Sequence, residues 1–155
     1  MKLNYKIIIS DTSCLILLSK IDELDLLNQL FDEIFITSEI QKEFGKKLPD
    51  WIKIKNPRDI RYQELLEMEI DKGEASAIAL SFDIDESMLI LDDYKARQVA
   101  DKLNIKYTGT FGIILRAKKI GLIDSVKPIL KKIKATNFRF SEELFEIVLR
   151  EAKEI

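Results

Sequence analysis

The chain has 155 residues and a net charge of −2, with 46% hydrophobic and 34% charged residues. This length suits one domain with its own core, and the composition argues against a disordered chain. The absence of histidine from the sequence excludes zinc sites built on imidazole and catalysis by Ser-His or Cys-His pairs. Acid–base chemistry would therefore fall to carboxylates, lysines, tyrosines or a metal-bound water.

The cysteine content and the lengths of the apolar runs indicate where in the cell the protein is expected. Cys14 is the only cysteine, so we expect a reducing compartment and a thiol that is buried as part of the core. No apolar run approaches the ~20 residues of a membrane span. The run at residues 7–9 stops at Ser10 and Asp11, too early for a signal peptide. We therefore expect a cytoplasmic protein that does not contact a membrane.

Short apolar runs alternate with amphipathic stretches along the chain, without internal repeats or a linker rich in proline or glycine. This alternation is typical of βαβ units, and it predicts a single α/β domain over residues 1–155 with a parallel sheet. The predicted strands are residues 5–10, 33–37, 51–55, 87–91 and 105–107. The predicted helices are residues 13–20, 22–31, a segment beginning at 38, 60–70, 71–81, 94–103, 110–121, 124–134 and 141–153.

Small polar residues precede several of these helices and predict where they begin. The segment at residues 11–13 offers N-capping side chains for the first helix. Ser38 with Gln41, and Asp71 with Glu74, have the spacing of a capping box. We therefore expect Ser38 and Asp71 to cap their helices.

Acidic residues follow two of the predicted strands at the point where each strand ends. Asp11 comes after the first strand, and Asp92 and Asp93 come after the strand at residues 87–91. Because the carboxyl ends of parallel strands meet at one edge of a sheet, we expect these acids to lie close together. Facing carboxylates repel unless a cation lies between them, and Mg²⁺ or Mn²⁺ is the simplest such cation. Helix capping is the competing explanation for Asp11 and for one member of the Asp92–Asp93 pair.

Several short motifs together resemble the PIN-domain family. Residues 8–13 (IISDTS) resemble the opening of PIN domains, and Glu43, which follows residues 36–38 (ITS), resembles their second acid. Residues 73–78 (GEASAI) resemble a helix found in many PIN domains, and residues 89–97 (LILDDYKAR) resemble the third acidic site. The segment at residues 108–123 is similar to a largely uncharacterised prokaryotic PIN-like branch. The resemblance spans essentially the whole chain.

The resemblance implies a three-layer α/β/α fold with a central, mostly parallel sheet, and RNA cleavage with Mg²⁺ or Mn²⁺. By position, Asp11, Glu43 and Asp93 would bind the metal and act in catalysis, with Asp92 as the competing choice at the third site. Many relatives are VapC-type toxins that a cognate antitoxin holds inactive, and many form homodimers. The auxiliary residues by this resemblance are Thr12, Ser13, Glu74, Thr108 and Thr110, although Glu74 has capping as an equal alternative.

One departure from the family pattern concerns the number of acids. Many PIN domains carry a fourth acid after the later strand, whereas residues 107–110 (YTGT) contain no carboxylate. The hydroxyl of Thr108 or Thr110 would then hold a metal-bound water. Fewer acids suit one metal rather than two, or weak activity, so the alternative function is a non-catalytic PIN-like module that binds a protein or nucleic acid. A phosphotransfer enzyme with a D-x-D motif is disfavoured, because residues 11–13 lack the second Asp.

The charges of the chain are unevenly distributed. Residues 21–93 carry 19 acids and 8 bases, whereas residues 116–139 carry 8 bases and one acid. A basic segment of this kind is typical of a phosphate-binding surface, and a solvated helix face explains it equally well. The candidate contacts to RNA phosphates are Lys95 and Arg97, within about one helical turn of Asp93, and Arg116, Lys118 and Lys119.

Overall fold

The computed structural model describes residues 6–155 and contains a five-stranded sheet in the order β3-β2-β1-β4-β5. All neighbouring strands are parallel. Tyr5, which we assigned to the first strand, lies outside the described residues. The strands are β1 (Ile7–Ser10), β2 (Glu33–Ile36), β3 (Ile52–Ile54), β4 (Ser87–Ile90) and β5 (Tyr107–Thr108).

The helices within the described residues connect the strands and cover both faces of the sheet, which gives the expected three-layer α/β/α architecture. None of them combines the length and apolar character that crossing a membrane requires. They are α1 (Thr12–Lys20), α2 (Asp25–Leu30), α3 (Ser38–Phe44), α4 (Ile60–Leu66), α5 (Lys72–Ser81), α6 (Tyr94–Lys102), α7 (Thr110–Lys119), α8 (Lys127–Lys134) and α9 (Glu142–Glu151).

The core lies around the two central strands. Ile8, Ile9, Leu89 and Ile90 are completely buried. A parallel strand that helices cover on both faces is apolar at nearly every position, which explains why β1 and β4 appear in the sequence as continuous apolar runs. Cys14 is also buried and free, as expected for a thiol that packs in the core.

The residues that cap the helices differ in part from the prediction. Thr37 rather than Ser38 caps α3, because the Thr37 hydroxyl accepts a hydrogen bond from the Ile40 amide at 3.3 Å. The backbone N–H and the hydroxyl of Ser38 instead bond to the Asn56 side chain. Asp71 is the N-cap residue of α5, but its side chain makes no capping hydrogen bond. The Ser38 prediction was therefore wrong, and the Asp71 prediction is correct in position only.

Several helices are shorter than predicted, and α2, α4 and α8 are examples. Asp22 has a φ of 59°, and this left-handed turn delays α2 to Asp25–Leu30. Helix α4 ends at Leu66, and residues 67–69 continue only as turns. Helix α8 begins at Lys127 rather than at Asp124, with a proline in its first turn, the position where a proline costs no helical hydrogen bond.

Candidate functional site

Asp11 joins the carboxyl ends of the two central strands. Its backbone N–H donates to the Ile90 carbonyl at 3.1 Å. One carboxylate oxygen caps α1 by accepting from the Cys14 N–H at 2.9 Å, and the other accepts from the Asp92 N–H at 2.9 Å. Asp11 is only 2% exposed. Capping therefore occurs, but it uses one oxygen, while the other reaches the end of β4.

The two neighbouring acids after β4 have different partners. Asp93 caps α6 by accepting from the Ala96 N–H at 3.0 Å. Asp92 accepts from Thr110 twice, from its N–H at 2.9 Å and from its hydroxyl at 2.6 Å. Asp92 therefore holds the turn that leads into α7, and Asp93 is the member of the pair that caps a helix.

Arg97 stabilises the same turn from the other side. Its Nε donates to the Leu91 carbonyl at 2.6 Å, and its guanidinium lies 5.3 Å from the centre of the Tyr107 ring. A Cβ at Gly109 would overlap Arg97 Nη2 and would lie 2.9 Å from Asp92 Oδ1, so a residue with a side chain would displace both groups. Arg97 is thus engaged within the protein.

Glu43 lies beside Thr12 and Gly73, which are distant from it in sequence. The Thr12 hydroxyl donates to Glu43 Oε1 at 2.5 Å, which connects the second acid with the residue next to Asp11. A Cβ at Gly73 would overlap the Glu43 carboxylate. The close approach of α3 and α5 therefore depends on glycine at this position. No pattern in the sequence marked Gly73 as a site residue.

A cavity of about 280 Å³ opens between the segment that follows α4 and the beginnings of α5 and α6. Lys95 is the one base among its lining residues. Its charged lining residues are Glu67, Glu69, Asp71, Glu74, Asp93 and Lys95.

Two carboxyl groups at this edge have raised pKa values. Burial raises the pKa of Asp11 to about 8, and the charges of Asp92 and Glu74 add to the effect. Burial also raises the pKa of Glu74 to about 7, together with the charges of Asp93, Asp71 and Glu43. Asp11, Glu43, Glu74, Asp92 and Asp93 therefore form one electrostatically connected group, which we call the acidic cluster.

The acidic cluster fits a hard divalent cation in its chemistry. Carboxylates that repel one another are stabilised by a positive ion between them. Within residues 6–155, no three acidic or cysteine side chains stand ready to hold an ion together. Mg²⁺ commonly binds through one or two carboxylates and keeps several waters, so Asp11 with one further acid meets its needs.

The remaining residues that the sequence analysis singled out lie apart from the acidic cluster or at its border. Ser13 is exposed on α1, and the Thr108 hydroxyl packs against Gly112 of α7. Thr110 is buried and bonded to Asp92. Arg116, Lys118 and Lys119 occupy the last turn of α7, beside a separate cavity.

The parallel sheet with carboxylates at the carboxyl ends of β1 and β4 defines an α/β protein with an acidic site at one sheet edge. A family model described as PIN domain matches residues 7–154, and the chain belongs to the PIN-domain family. No curated protein and no solved structure matches the chain. PIN domains are generally nucleases and typically use divalent metals, so this chain has a nuclease-type fold.

We predict that the stability of the metal-free protein falls as the pH rises from about 5 to 9. Asp11 and Glu74 have folded-state pKa values of about 8 and about 7, above those of the unfolded chain. Each therefore stabilises the fold fully below about pH 4, and this contribution is lost as the pH rises through its folded pKa. Thermal melting in EDTA at several pH values would measure the fall.

The matched comparison for this prediction is the Glu74→Gln variant. It removes the group that titrates near pH 7, so its melting temperature should vary less with pH. Mg²⁺ should raise the melting temperature of the wild type most above pH 7, where both carboxylates are charged. A melting temperature that stays constant over this range would contradict the predicted pKa values.

Proposed function

We propose that this protein is a cytoplasmic, metal-dependent endoribonuclease that hydrolyses phosphodiester bonds in RNA with Mg²⁺ or Mn²⁺. The observation that carries the proposal is the buried Asp11 carboxylate, which interacts electrostatically with Asp92 and Glu74 at the carboxyl edge of the sheet. With its pKa raised to about 8, Asp11 is mostly protonated at neutral pH in the free protein, and a divalent cation that replaces this proton would relieve the same repulsion. PIN-domain membership makes a divalent metal the natural ligand.

We assign roles to the acids from their contacts. Asp11 and Asp93 would hold the ion, which supplies an activated water and offsets charge on the phosphate. Glu43, oriented by the Thr12 hydroxyl at 2.5 Å, would complete the shell or orient the attacking water. Asp92 would act mainly by holding Thr110 and the turn before α7.

Binding of RNA requires cations near this acidic edge, because each nucleotide brings a phosphate. Lys95 lines the acidic cavity and is exposed, so we propose that it contacts a phosphate next to the scissile one. Arg97 already donates to Leu91 and lies over the Tyr107 ring. We therefore propose that Arg97 positions the site rather than binding the strand.

We further propose that the protein is the toxin of a type II toxin–antitoxin pair and forms a homodimer, as the resemblance to VapC-type proteins implies. An exposed apolar surface supports a protein partner. Ile60, Tyr62, Leu65 and Met68 are each at least half exposed on and after α4, next to the acidic cavity that includes Met68. Apolar groups exposed together in this way commonly mark a protein interface.

The proposed activity is tested with a circular single-stranded RNA, which lacks ends and is opened only by an endonuclease. The purified protein should open the circle with Mg²⁺ or Mn²⁺ and should leave it intact in EDTA. A circular DNA of the same sequence tests the preference for RNA. If the circle stays intact with either metal at all protein concentrations, the protein is not an endoribonuclease on such RNA.

We predict that Asp93→Asn weakens metal binding more than Asp92→Asn does. Asp93 lines the acidic cavity, whereas Asp92 does not. The Asp92 carboxylate also lies 4.0 Å from the Arg97 guanidinium, whose positive charge disfavours a cation there. Isothermal titration calorimetry of the metal-free variants with Mn²⁺ would measure both affinities. We expect a loss of about tenfold or more for Asp93→Asn. An equal or larger loss for Asp92→Asn would make Asp92 the ligand.

The alternative function is a PIN-like module that binds nucleic acid or protein without cleavage. Residues 108–110 supply no acid, and the described residues contain no preassembled three-ligand group. Binding of the circular RNA without its opening, unchanged by Asp11→Asn, would favour this alternative.

A further inference from the structure

A second cavity, of about 790 Å³, lies at the edge strand β5, between α7 and the end of α9. This volume falls within the range of about 300–1,000 Å³ that is usual for sites of small molecules. Met88, Ile113 and Leu115 give it an apolar wall. The cations that line it are Arg116, Lys118, Lys119 and Lys153, and Glu151 is the one acid among the lining residues.

Arg116 contributes a buried donor that lacks an acceptor. Its Nη1 atom is buried, and no hydrogen-bond partner for it exists among residues 6–155. Burial lowers the pKa of the Arg116 guanidinium. A buried unpaired donor is costly, and in native proteins it commonly marks a place where a water or ion belongs.

The Glu154 carboxylate, which follows α9, already has three other donors. Glu154 accepts from Lys118 Nζ at 2.8 Å, from the Ser125 hydroxyl at 2.5 Å and from the Val126 N–H at 2.8 Å. Burial by itself would raise the pKa of Glu154, but these three hydrogen bonds outweigh it and lower the pKa to about 2. Lys118 is therefore neutralised, whereas Arg116 is not.

Lys119 and Lys153 add charge at the rim. Both are exposed, and within the described part of the chain neither takes part in an ion pair. Cations in the last turn of α7 also face the negative end of its helix dipole. The helix dipole is a sufficient reason for an exposed lysine at this position. It does not provide a hydrogen-bond acceptor for the buried Nη1 atom of Arg116.

The cavity is separate from the acidic cluster. Arg116 and Lys119 follow Thr110, which bonds to Asp92, by six and nine residues along α7. At 1.5 Å per residue, these positions lie about 9 Å and about 14 Å further along the helix axis. A phosphate bound here is therefore not the one that the acidic cluster would cleave.

We propose that this cavity binds a nucleoside monophosphate, with its phosphate on Arg116 and Lys119 and its base against the apolar wall. Arg116 lines the cavity, and its guanidinium takes part in no ion pair within the described residues, so it is available to a phosphate. Charge-assisted bonds between guanidinium and phosphate are strong. The nucleotide comes either from solution or from the end of an RNA strand. Both sources present the same chemistry.

The test measures binding of AMP to the full-length protein by calorimetry in EDTA, with adenosine and inorganic phosphate as separate probes. AMP should bind more tightly than adenosine. Arg116→Met, which removes the guanidinium and retains an unbranched apolar side chain, should weaken AMP binding about tenfold or more. Lys119→Met, at an exposed position, should weaken it a few-fold. The matched control is Arg150→Met, because Arg150 is exposed on α9 and does not line the cavity.

Two further measurements make the outcome decisive. Arg116 is half-buried, and its Nη1 atom lacks an acceptor, so Arg116→Met should not lower the melting temperature without ligand. Competition by a short RNA with a terminal phosphate would identify a strand end as the source, and its absence would identify free nucleotide. The proposal is wrong if AMP does not bind, if adenosine binds equally well, or if Arg116→Met binds AMP like the wild type.

This inference does not depend on RNA cleavage. AMP binding should be the same in Asp11→Asn as in the wild type, because Asp11 is not among the residues that line the cavity. Loss of cleavage with intact AMP binding, or the reverse, would therefore separate the failure of one proposal from the failure of the other.

Discussion

Asp11→Asn should reduce metal-dependent RNA cleavage by at least about a hundredfold, since the loss of a metal ligand exceeds the cost of losing its outer-shell support. The substitution removes the negative charge at the end of β1. It retains one oxygen, which can still accept from the Cys14 N–H and cap α1. Initial rates of cleavage of a fluorescent RNA, measured over a range of Mg²⁺ concentrations, would show the loss.

The matched control is Asp59→Asn. Asp59 is also an aspartate that caps a helix, α4, by accepting from the Arg61 N–H at 3.0 Å, and its charge does not contribute to the raised pKa values in the acidic cluster. Because asparagine caps helices about as well as aspartate does, this variant should cleave RNA like the wild type. Retention of most activity in a folded Asp11→Asn protein would remove Asp11 from the mechanism.

Gly73→Ala should lower the cleavage rate by roughly tenfold to a hundredfold, the range expected when a catalytic group moves by about 1 Å. The added Cβ would overlap the Glu43 carboxylate, which would have to leave its position beside the Thr12 hydroxyl. Alanine normally stabilises a helix relative to glycine by roughly 0.5–1 kcal/mol. A folded variant without that gain in stability, measured by thermal melting, would agree with the overlap.

A double-mutant cycle with Glu43→Gln tests whether the effect passes through Glu43. If Gly73→Ala acts by displacing Glu43, the double variant should be about as active as Glu43→Gln alone. If instead the two losses multiply, Gly73 affects cleavage by another route. Full activity of Gly73→Ala would show that the position of Glu43 does not matter.

The fold was predictable because the central strands are buried on both faces. Such strands appear in the sequence as unbroken apolar runs, as at residues 7–9 and 88–91. The helix boundaries were less predictable, because they depend on single backbone conformations such as the left-handed turn at Asp22. The cap of α3 was also hard to predict, because it depends on a tertiary contact. The Asn56 side chain donates to the Ser38 hydroxyl, and Thr37 caps the helix instead.

Part of the acidic cluster was predictable from local patterns. Asp11 and the Asp92–Asp93 pair follow buried strands, and the topology of a parallel sheet then brings them together. Glu43 gave no such signal, and only the resemblance to PIN domains identified it. Its contact with Thr12 joins residues 31 positions apart, which no local pattern encodes. The assignment of Asp11, Glu43 and Asp93 as metal ligands stays a proposal.

The charge pattern of residues 116–139 was only a partial guide. Three of its bases form ion pairs with acids elsewhere in the chain: Lys118 with Glu154, Lys132 with Glu23 and Lys134 with Glu142. The second cavity combines residues of β4, β5, α7 and α9, so its outline could not be derived from one segment. The unpaired Arg116 donor became visible only once its surroundings were known.

We propose above all that the acidic cluster holds one divalent cation through Asp11. The most direct test is a crystal structure of the protein soaked in Mn²⁺, with the ion located by its anomalous scattering. We predict a peak about 2.0–2.3 Å from an Asp11 oxygen, with Asp93 or Glu43 in the same shell. An empty cluster, or an ion bound elsewhere, in crystals grown above pH 8 would contradict it.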